Sequence, residues 1–263
     1  GFLLSALLLF TANISYSSRI LGVWCGFLAI GLLLPIIEQL GEIESYAFLL
    51  AVTGFLPASY GALLYLYCRH SVLDDGFRST DMLHFIPLVC CYLLNLDLLF
   101  SPSLVIQSFI EGTTAQSARY LLGQVILFGQ AFIYIGYTAL FIYRYQQRAQ
   151  DNYAGFNPEI FDWLWIVQGF NLIIWSMKAA GMVLSGFGLF VVGDILIVIL
   201  IYGIGMAQWR NPQLFKIVGS ATEPPGFKVD SGLKIPIKLD QDTRLALLES
   251  VNLHMQKHQA FLD

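Results

Sequence analysis

Charge is what this chain has least of. Only 12% of its 263 residues are charged, where a soluble globular chain carries about 25%. Charge this sparse cannot coat a water-facing surface of this size. Recognisable chemistry is scarce too. There is no Cys-x-x-Cys pair to hold a metal or run redox exchange. The four cysteines, Cys25, Cys68, Cys90 and Cys91, all fall inside hydrophobic stretches and read as small buried apolar side chains. No Gly-rich phosphate loop, no pair of catalytic carboxylates and no nucleophile motif occurs. The chain is therefore not expected to be an enzyme, and no cofactor or metal is expected. His254 and His258 have a metal-ligand spacing, but no third ligand lies near them, so they read as a solvated face.

What is present is apolar sequence, 57% of the chain, with a mean hydropathy of +0.67. It comes in long blocks, where a soluble core would scatter it. A spanning helix needs roughly 20 apolar residues. The blocks predict spans over 1–14, 20–40, 46–67, 82–100, 120–143, 161–184 and 187–207. The first is read as a transmembrane helix whose start is missing. The expectation is an all-α integral membrane protein, a seven-helix bundle over 1–209. The last two spans form a tight hairpin about Ser185-Gly186. The connection 101–118 is read as an interfacial loop.

Basic residues in short loops set the orientation. With the N-terminus outside, inner loops hold Arg19, Arg69, Arg78, Arg144 and Arg148. Outer loops hold only Arg119, beside Glu38, Glu42, Glu44 and Glu111. That polarity puts Arg210 and the tail in the cytoplasm. Residues 210–241 read as an irregular linker, rich in Pro, Gly and charge. Residues 242–263 read as one helix, capped by Asp242 or Thr243. Leu245, Leu248, Val251 and Met255 recur near helical spacing and are candidates for dimerisation or output. A helix this short is marginal alone in water, so it calls for a partner, either a second copy or a following domain.

Ionisable groups at membrane depth are costly and usually face the bundle interior. Asp97, Lys178 and Asp194 are the three here. Lys178 and Asp194 lie nearly equal distances either side of the hairpin turn. At about 1.5 Å per residue both sit about 12 Å below it. They are a candidate structural ion pair and, with Asp97, a candidate ligand site opening outward. In span five, Gln130, Tyr134, Tyr137 and Phe141 share one helical face. Gln130, Tyr134 and Tyr137 are further ligand candidates, with Gln124, Gln168 and Asn171 behind them. Gly123, Gly129 and Gly136 read as close-packing positions. Pro57 and Pro87 loosen the backbone. Asp81, three residues before His84, reads as a favourable charge at a helix start.

The segment 60–88, YGALLYLYCRHSVLDDGFRSTDMLHFIPL, resembles a pattern of membrane-bound bacterial regulators of the AraC type. There a Leu-Tyr-x-Tyr-like helix end is followed by a basic loop with Phe-Arg and Asp, then a Leu-His-Phe-x-Pro helix start. The tail adds Trp209-Arg210-Asn211-Pro212, Leu214-Phe215, Lys228, Ser231-Gly232-Leu233 and a terminal Ala260-Phe261-Leu262-Asp263. The resemblance covers most of the chain, and it rests on the order and spacing of these motifs. It implies a transmembrane sensor in the bacterial inner membrane, a homodimer. It also implies a cytoplasmic helix-turn-helix DNA-binding domain beyond Asp263. Nothing in 1–263 reads as a basic recognition helix, so any DNA contact would come only through that further domain. The resemblance makes the expected function signal transduction from an unknown small-molecule or lipid ligand to transcription. A transporter or channel also accounts for buried charge, though no internal repeat or matched pair of broken helices supports it. A retinal-binding opsin is a third reading, weakened because span seven has no lysine.

Overall fold

The computed structural model describes residues 1–11, 15–40, 45–73, 77–101, 118–152, 158–184 and 188–210. The chain divides into Gly1–Ala221 and Thr222–Asp263, and only the first contains described residues. The expected linker, tail helix, Leu245, Leu248, Val251 and Met255, the loop 102–117 and the turn at Ser185-Gly186 lie outside them. All regular structure among the described residues is helical.

Helix α1 is Phe2–Phe10, α2 is Tyr16–Gly31 and α3 is Leu33–Leu40. The nine residues of α1 span about 13 Å, under half of a hydrocarbon core. Thr11 ends α1, its hydroxyl turning back to donate to Leu7 O at 2.6 Å. Ser15 caps α2 by accepting from Ser18 N at 3.3 Å. Pro35 falls in the first turn of α3, where a backbone N–H is not needed.

Helix α4 is Ala47–Phe55 and α5 is Tyr60–Val72. A 3₁₀ turn over Leu56–Ser59, built around Pro57, joins them. Proline cannot donate back to Thr53, so the helix tightens there without ending. The expected span over 82–100 takes a different form. It is a 3₁₀ segment Ser79–Phe85, then α6 at Ile86–Leu94, then a short α7 at Leu96–Phe100. The break falls at Asn95, with φ −119° and ψ 35°. Its side-chain amide donates to Cys91 O at 3.0 Å. An asparagine that bonds its own backbone competes with the helix ladder.

Three long helices complete the described residues: α8 at Ala118–Asn152, α9 at Pro158–Val183 and α10 at Leu189–Arg210. Among the described residues five helical stretches are long and apolar enough to cross a membrane: Tyr16–Ile37, Ala47–Val72, Ala118–Gln150, Pro158–Met182 and Leu189–Ala207. The stretches at 2–10 and 79–100 are helical but fall short of a continuous span.

Packing runs α1 on α2, α2 on α5, α5 on α8, α8 on α9 and α9 on α10, with α6 leaning on α8. A small cleft lined by Gly1, Ala29, Val198 and Tyr202 brings α10 back beside α1 and α2, closing the ring. The stretch Ala47–Val72 is the most buried of the five. Its outer partners expose Phe10, Val125, Ile133, Ile166, Val191 and Ile195. A soluble monomer rarely exposes so many large apolar side chains, whereas a hydrocarbon environment accommodates them.

Candidate functional site

A half-open cavity of about 650 Å³ lies among α2, α3, α4, α5, α8, α9 and α10. Most of its wall is aliphatic or aromatic. Phe128 meets Trp175 edge to face, ring centroids 5.5 Å apart, and Phe55 sits edge-on to Tyr120 at 5.9 Å. Into this wall project Lys178, Asp194, Asn171, Gln124, Tyr60 and Trp24.

Lys178 on α9 reaches across to Asp194 on α10, its ammonium Nζ donating to Oδ1. The two side chains are 23% and 26% exposed, so the pair is only partly dehydrated. The approach depends on Gly193. A Cβ at that position would lie 3.0 Å from Lys178 Cε and 3.2 Å from Cγ. The bare backbone thus gives the lysine stem its path along α10. Lys178 Nζ also lies 5.7 Å from the Phe190 ring centroid, within cation–π range.

The other polar groups of the wall divide by whether they have partners. Tyr60 donates its hydroxyl to Phe27 O at 2.9 Å, and Thr53 donates to Leu49 O at 2.9 Å. Trp24 Nε1 and Asn171 Nδ2 are buried with no hydrogen-bond partner. Burying an N–H without an acceptor is unfavourable, and native proteins rarely leave one so.

The cavity is lined by Lys178 and Asp194 but not by the other residues expected with them. Asp97, on α7 beyond the Asn95 break, lies 3.8 Å from Arg119 at an exposed edge, the side chains 49% and 70% exposed. Gln130 is buried on the α5 side of α8, and neither of its amide atoms has a partner. Tyr134 and Tyr137 join an aromatic cluster around Tyr65, with centroids at 6.3 and 4.9 Å. His84 Nδ1 shares a 2.8 Å hydrogen bond with Tyr134 OH. The shared face of Gln130, Tyr134 and Tyr137 meets α5 and the 3₁₀ segment Ser79–Phe85, and none of the three lines the cavity. Of the lower-ranked group, Gln124 and Asn171 line the cavity. Gln168 instead donates from Nε2 to Ile135 O at 2.7 Å. Trp24 and Tyr60 could not be singled out from sequence, because aromatic residues are ordinary in spans.

A separate charged knot lies at the far end of the bundle. Asp81 Oδ1 accepts from Arg69 at 2.6 Å, and Oδ2 accepts from the Arg78 backbone N–H at 2.9 Å. His70 Nε2 is 3.8 Å from Oδ2. Burial pushes the Asp81 carboxyl upward, but the Arg78 N–H, the Arg69 hydrogen bond and the Arg69 charge outweigh it and hold it below its ordinary value. Asp81 thus stabilises the start of its 3₁₀ segment, as a charge in that position should. It also fastens that segment to the end of α5. The interhelical partner is the part that the sequence did not reveal. Tyr16, at the start of α2, stacks edge-on against His70 at 5.5 Å, so Arg19, Arg69 and Arg78 gather at one end.

Among the described residues no group of three or more His, Cys, Asp or Glu could hold a metal ion. The fold and the site define a class: among the described residues, an all-helical bundle of membrane character around a half-open, mainly apolar cavity with an ion pair in its wall. No family model matches the chain, and no curated protein or solved structure matches it either.

Proposed function

We propose that the chain is the transmembrane sensor region of a membrane-tethered, AraC-type bacterial transcription regulator. A small-molecule or lipid ligand enters the bundle and biases its helix packing. A cytoplasmic DNA-binding domain beyond Asp263 then receives the change as part of a homodimer. The carrying observation is the half-open cavity of about 650 Å³, with the Lys178–Asp194 pair bridging two helices at its wall. A ligand can move an equilibrium only by its differential affinity for two states. A partly buried ion pair between neighbouring helices is a contact that such a ligand can favour or disfavour. The resemblance of the motifs in 60–88 and from Trp209 onward is what supports the family part of this reading.

In this reading the chain crosses the inner membrane seven times, N-terminus outside, with the spans expected over 1–14 and 82–100 completing the count. The arginine-rich end with Arg69 and Arg78 faces the cytoplasm, as does the tail. The test is the transcript profile of cells carrying the intact protein as wild type, Lys178→Met, or with 1–209 deleted, at matched expression. A discrete set of transcripts should change in both variants. An unchanged profile in both would remove the sensor reading. Solute flux through liposomes holding the wild-type protein would instead favour a transporter.

A further inference from the structure

Three helix breaks fall at one level of the bundle, and the cavity lies there. We propose that α3, α4 and the short α7 form a lid on the cavity, turning as one body on hinges at Leu32, Leu56–Ser59 and Asn95. The lid belongs to the cavity on which the sensor reading rests. Its test needs no ligand and no DNA-binding domain and reads distances inside the protein, so the two can fail separately.

Each hinge has its own chemical cause. Pro35 has no N–H to donate to Gly31 O, and α2 gives way to α3 across the single residue Leu32. Pro57 leaves Thr53 O without its helical donor, and the 3₁₀ turn forms there. Asn95 bonds Cys91 O through its side chain at 3.0 Å, parting α6 from α7. Kinks form at prolines and where a side chain enters the helix ladder. A 3₁₀ stretch inside a helix often marks a hinge.

The hinges lie close together. A Cβ on Gly123 of α8 would stand 2.8 Å from Asn95 Nδ2 and 3.0 Å from Phe55 Cε1, so the feet of α7 and α4 meet at one point on α8. A Cβ on Gly31 would stand 2.8 Å from the Tyr60 hydroxyl, which brings the foot of α3 to the start of α5. The hydroxyl of Tyr92, on α6, donates to Val52 O on α4. That bond is little more than one turn from Pro57, close enough to the pivot for a small rotation to leave it intact.

Beyond the hinges the three short helices share a core of their own. Ile37 from α3 and Ala47, Leu50 and Ala51 from α4 are buried together, with Leu99 of α7 packed on them. The main core draws its buried side chains from the other helices and from the hinge residues Phe55, Leu56 and Ala58. The cavity lies between the two cores. Leu34, Ala51 and Leu98 line it from the lid, and Gln124, Trp175 and Leu200 from the long helices. A second cleft of about 200 Å³, lined by Leu33 and Ile36 of α3 and Val198 and Tyr202 of α10, leaves clearance beside α3. Helix α4 has nine residues, so its far end stands about 13 Å from the hinge and a rotation of about 20° moves it by roughly 5 Å.

The test is pulsed electron–electron distance measurement on the full chain in nanodiscs. Spin labels are carried on p-acetylphenylalanine, so the four native cysteines stay in place. Phe48–Ile133 and Phe100–Val191 span lid and frame, Ile133–Val191 lies within the frame, and all four sites are exposed. Both lid pairs should give distance distributions broader than the frame pair by about 5 Å. Pro57→Ala and Pro35→Ala each restore a helical N–H. Each should remove more than half of that excess width and leave the frame pair unchanged. If one variant does not fold, the other still reads. Lid pairs no broader than the frame pair would overturn the proposal, as would broadening of one lid pair alone or widths that both variants leave intact.

Discussion

Replacing Asp81 by asparagine tests whether the charged knot fastens the 3₁₀ segment to α5. Asp81 is 1% exposed and Arg69 11%, so the substitution takes the carboxylate away from a nearly buried guanidinium. Removing one partner of a buried pair costs about 3–5 kcal/mol. The amide oxygen can still accept from Arg78 N–H, which retains about 1 kcal/mol. The expected loss is about 2–4 kcal/mol. For a chain of this size that lowers Tm by roughly 5–15 °C, read by tryptophan fluorescence in one fixed lipid. Asp97→Asn is the internal control. Its pair with Arg119 is exposed at 3.8 Å and should contribute no more than about 1 kcal/mol. The pH dependence has a definite sign. A carboxyl lowered from 3.8 on folding adds stability that is complete above that value. This stability is lost as pH falls through the lower folded-state value. The wild type should therefore lose an increment on acidification below about pH 4 that Asp81→Asn does not lose. Equal Tm losses for Asp81→Asn and Asp97→Asn, with parallel acid profiles, would refute the reasoning.

Three further outcomes are expected. Gly61→Ala should destabilise by about 1–3 kcal/mol, because its Cβ would meet Tyr134 Cβ at 2.8 Å and the two helices must part. A Tm within 1 °C of wild type (roughly 0.3 kcal/mol) would show that the contact yields freely. For Lys178 and Asp194, a thermal double-mutant cycle with Lys178→Met and Asp194→Leu should show the double variant losing less than the two singles together; strict additivity would mean that the pair is not coupled. Tyr67→Phe removes the hydroxyl that accepts from Trp163 Nε1 at 2.9 Å. It should cost about 0.5–1.5 kcal/mol, seen as a lower Tm with no change in helix content by circular dichroism.

The Lys178–Asp194 contact was legible in the sequence for a simple reason. In an antiparallel hairpin, residues equidistant from the turn share a depth, and depth is most of what an ion pair needs. The orientation of α8 was not legible in the same way. Helical periodicity groups Gln130, Tyr134 and Tyr137 on one face, but it does not say which neighbour that face meets. The missing side chain at Gly61 decides it, letting α5 come up against Tyr134 and Gln130. The cavity is left to the other side of α8, where Gln124 and Phe128 face it. The fragmentation of 79–100 was hidden for a related reason. Hydropathy averages over a window, and one asparagine that bonds Cys91 O ends a helix without lowering the average much. Trp24 and Asn171 became notable only once their N–H groups could be seen to lack acceptors.

Helix α8 has a mechanical consequence of its own. Its 35 residues make a rod of about 52 Å, against about 30 Å of hydrocarbon. Gln124 stands at the cavity and Arg148 near the opposite end, about 36 Å away along the axis. A stiff rod pivoting at the cavity by about 5° would swing its far end by roughly 3 Å, as much as two residues of helical rise. Because α5, α6 and α9 all rest on this rod, a displacement too small to break any one contact at the chamber would become a lateral stroke at the other surface.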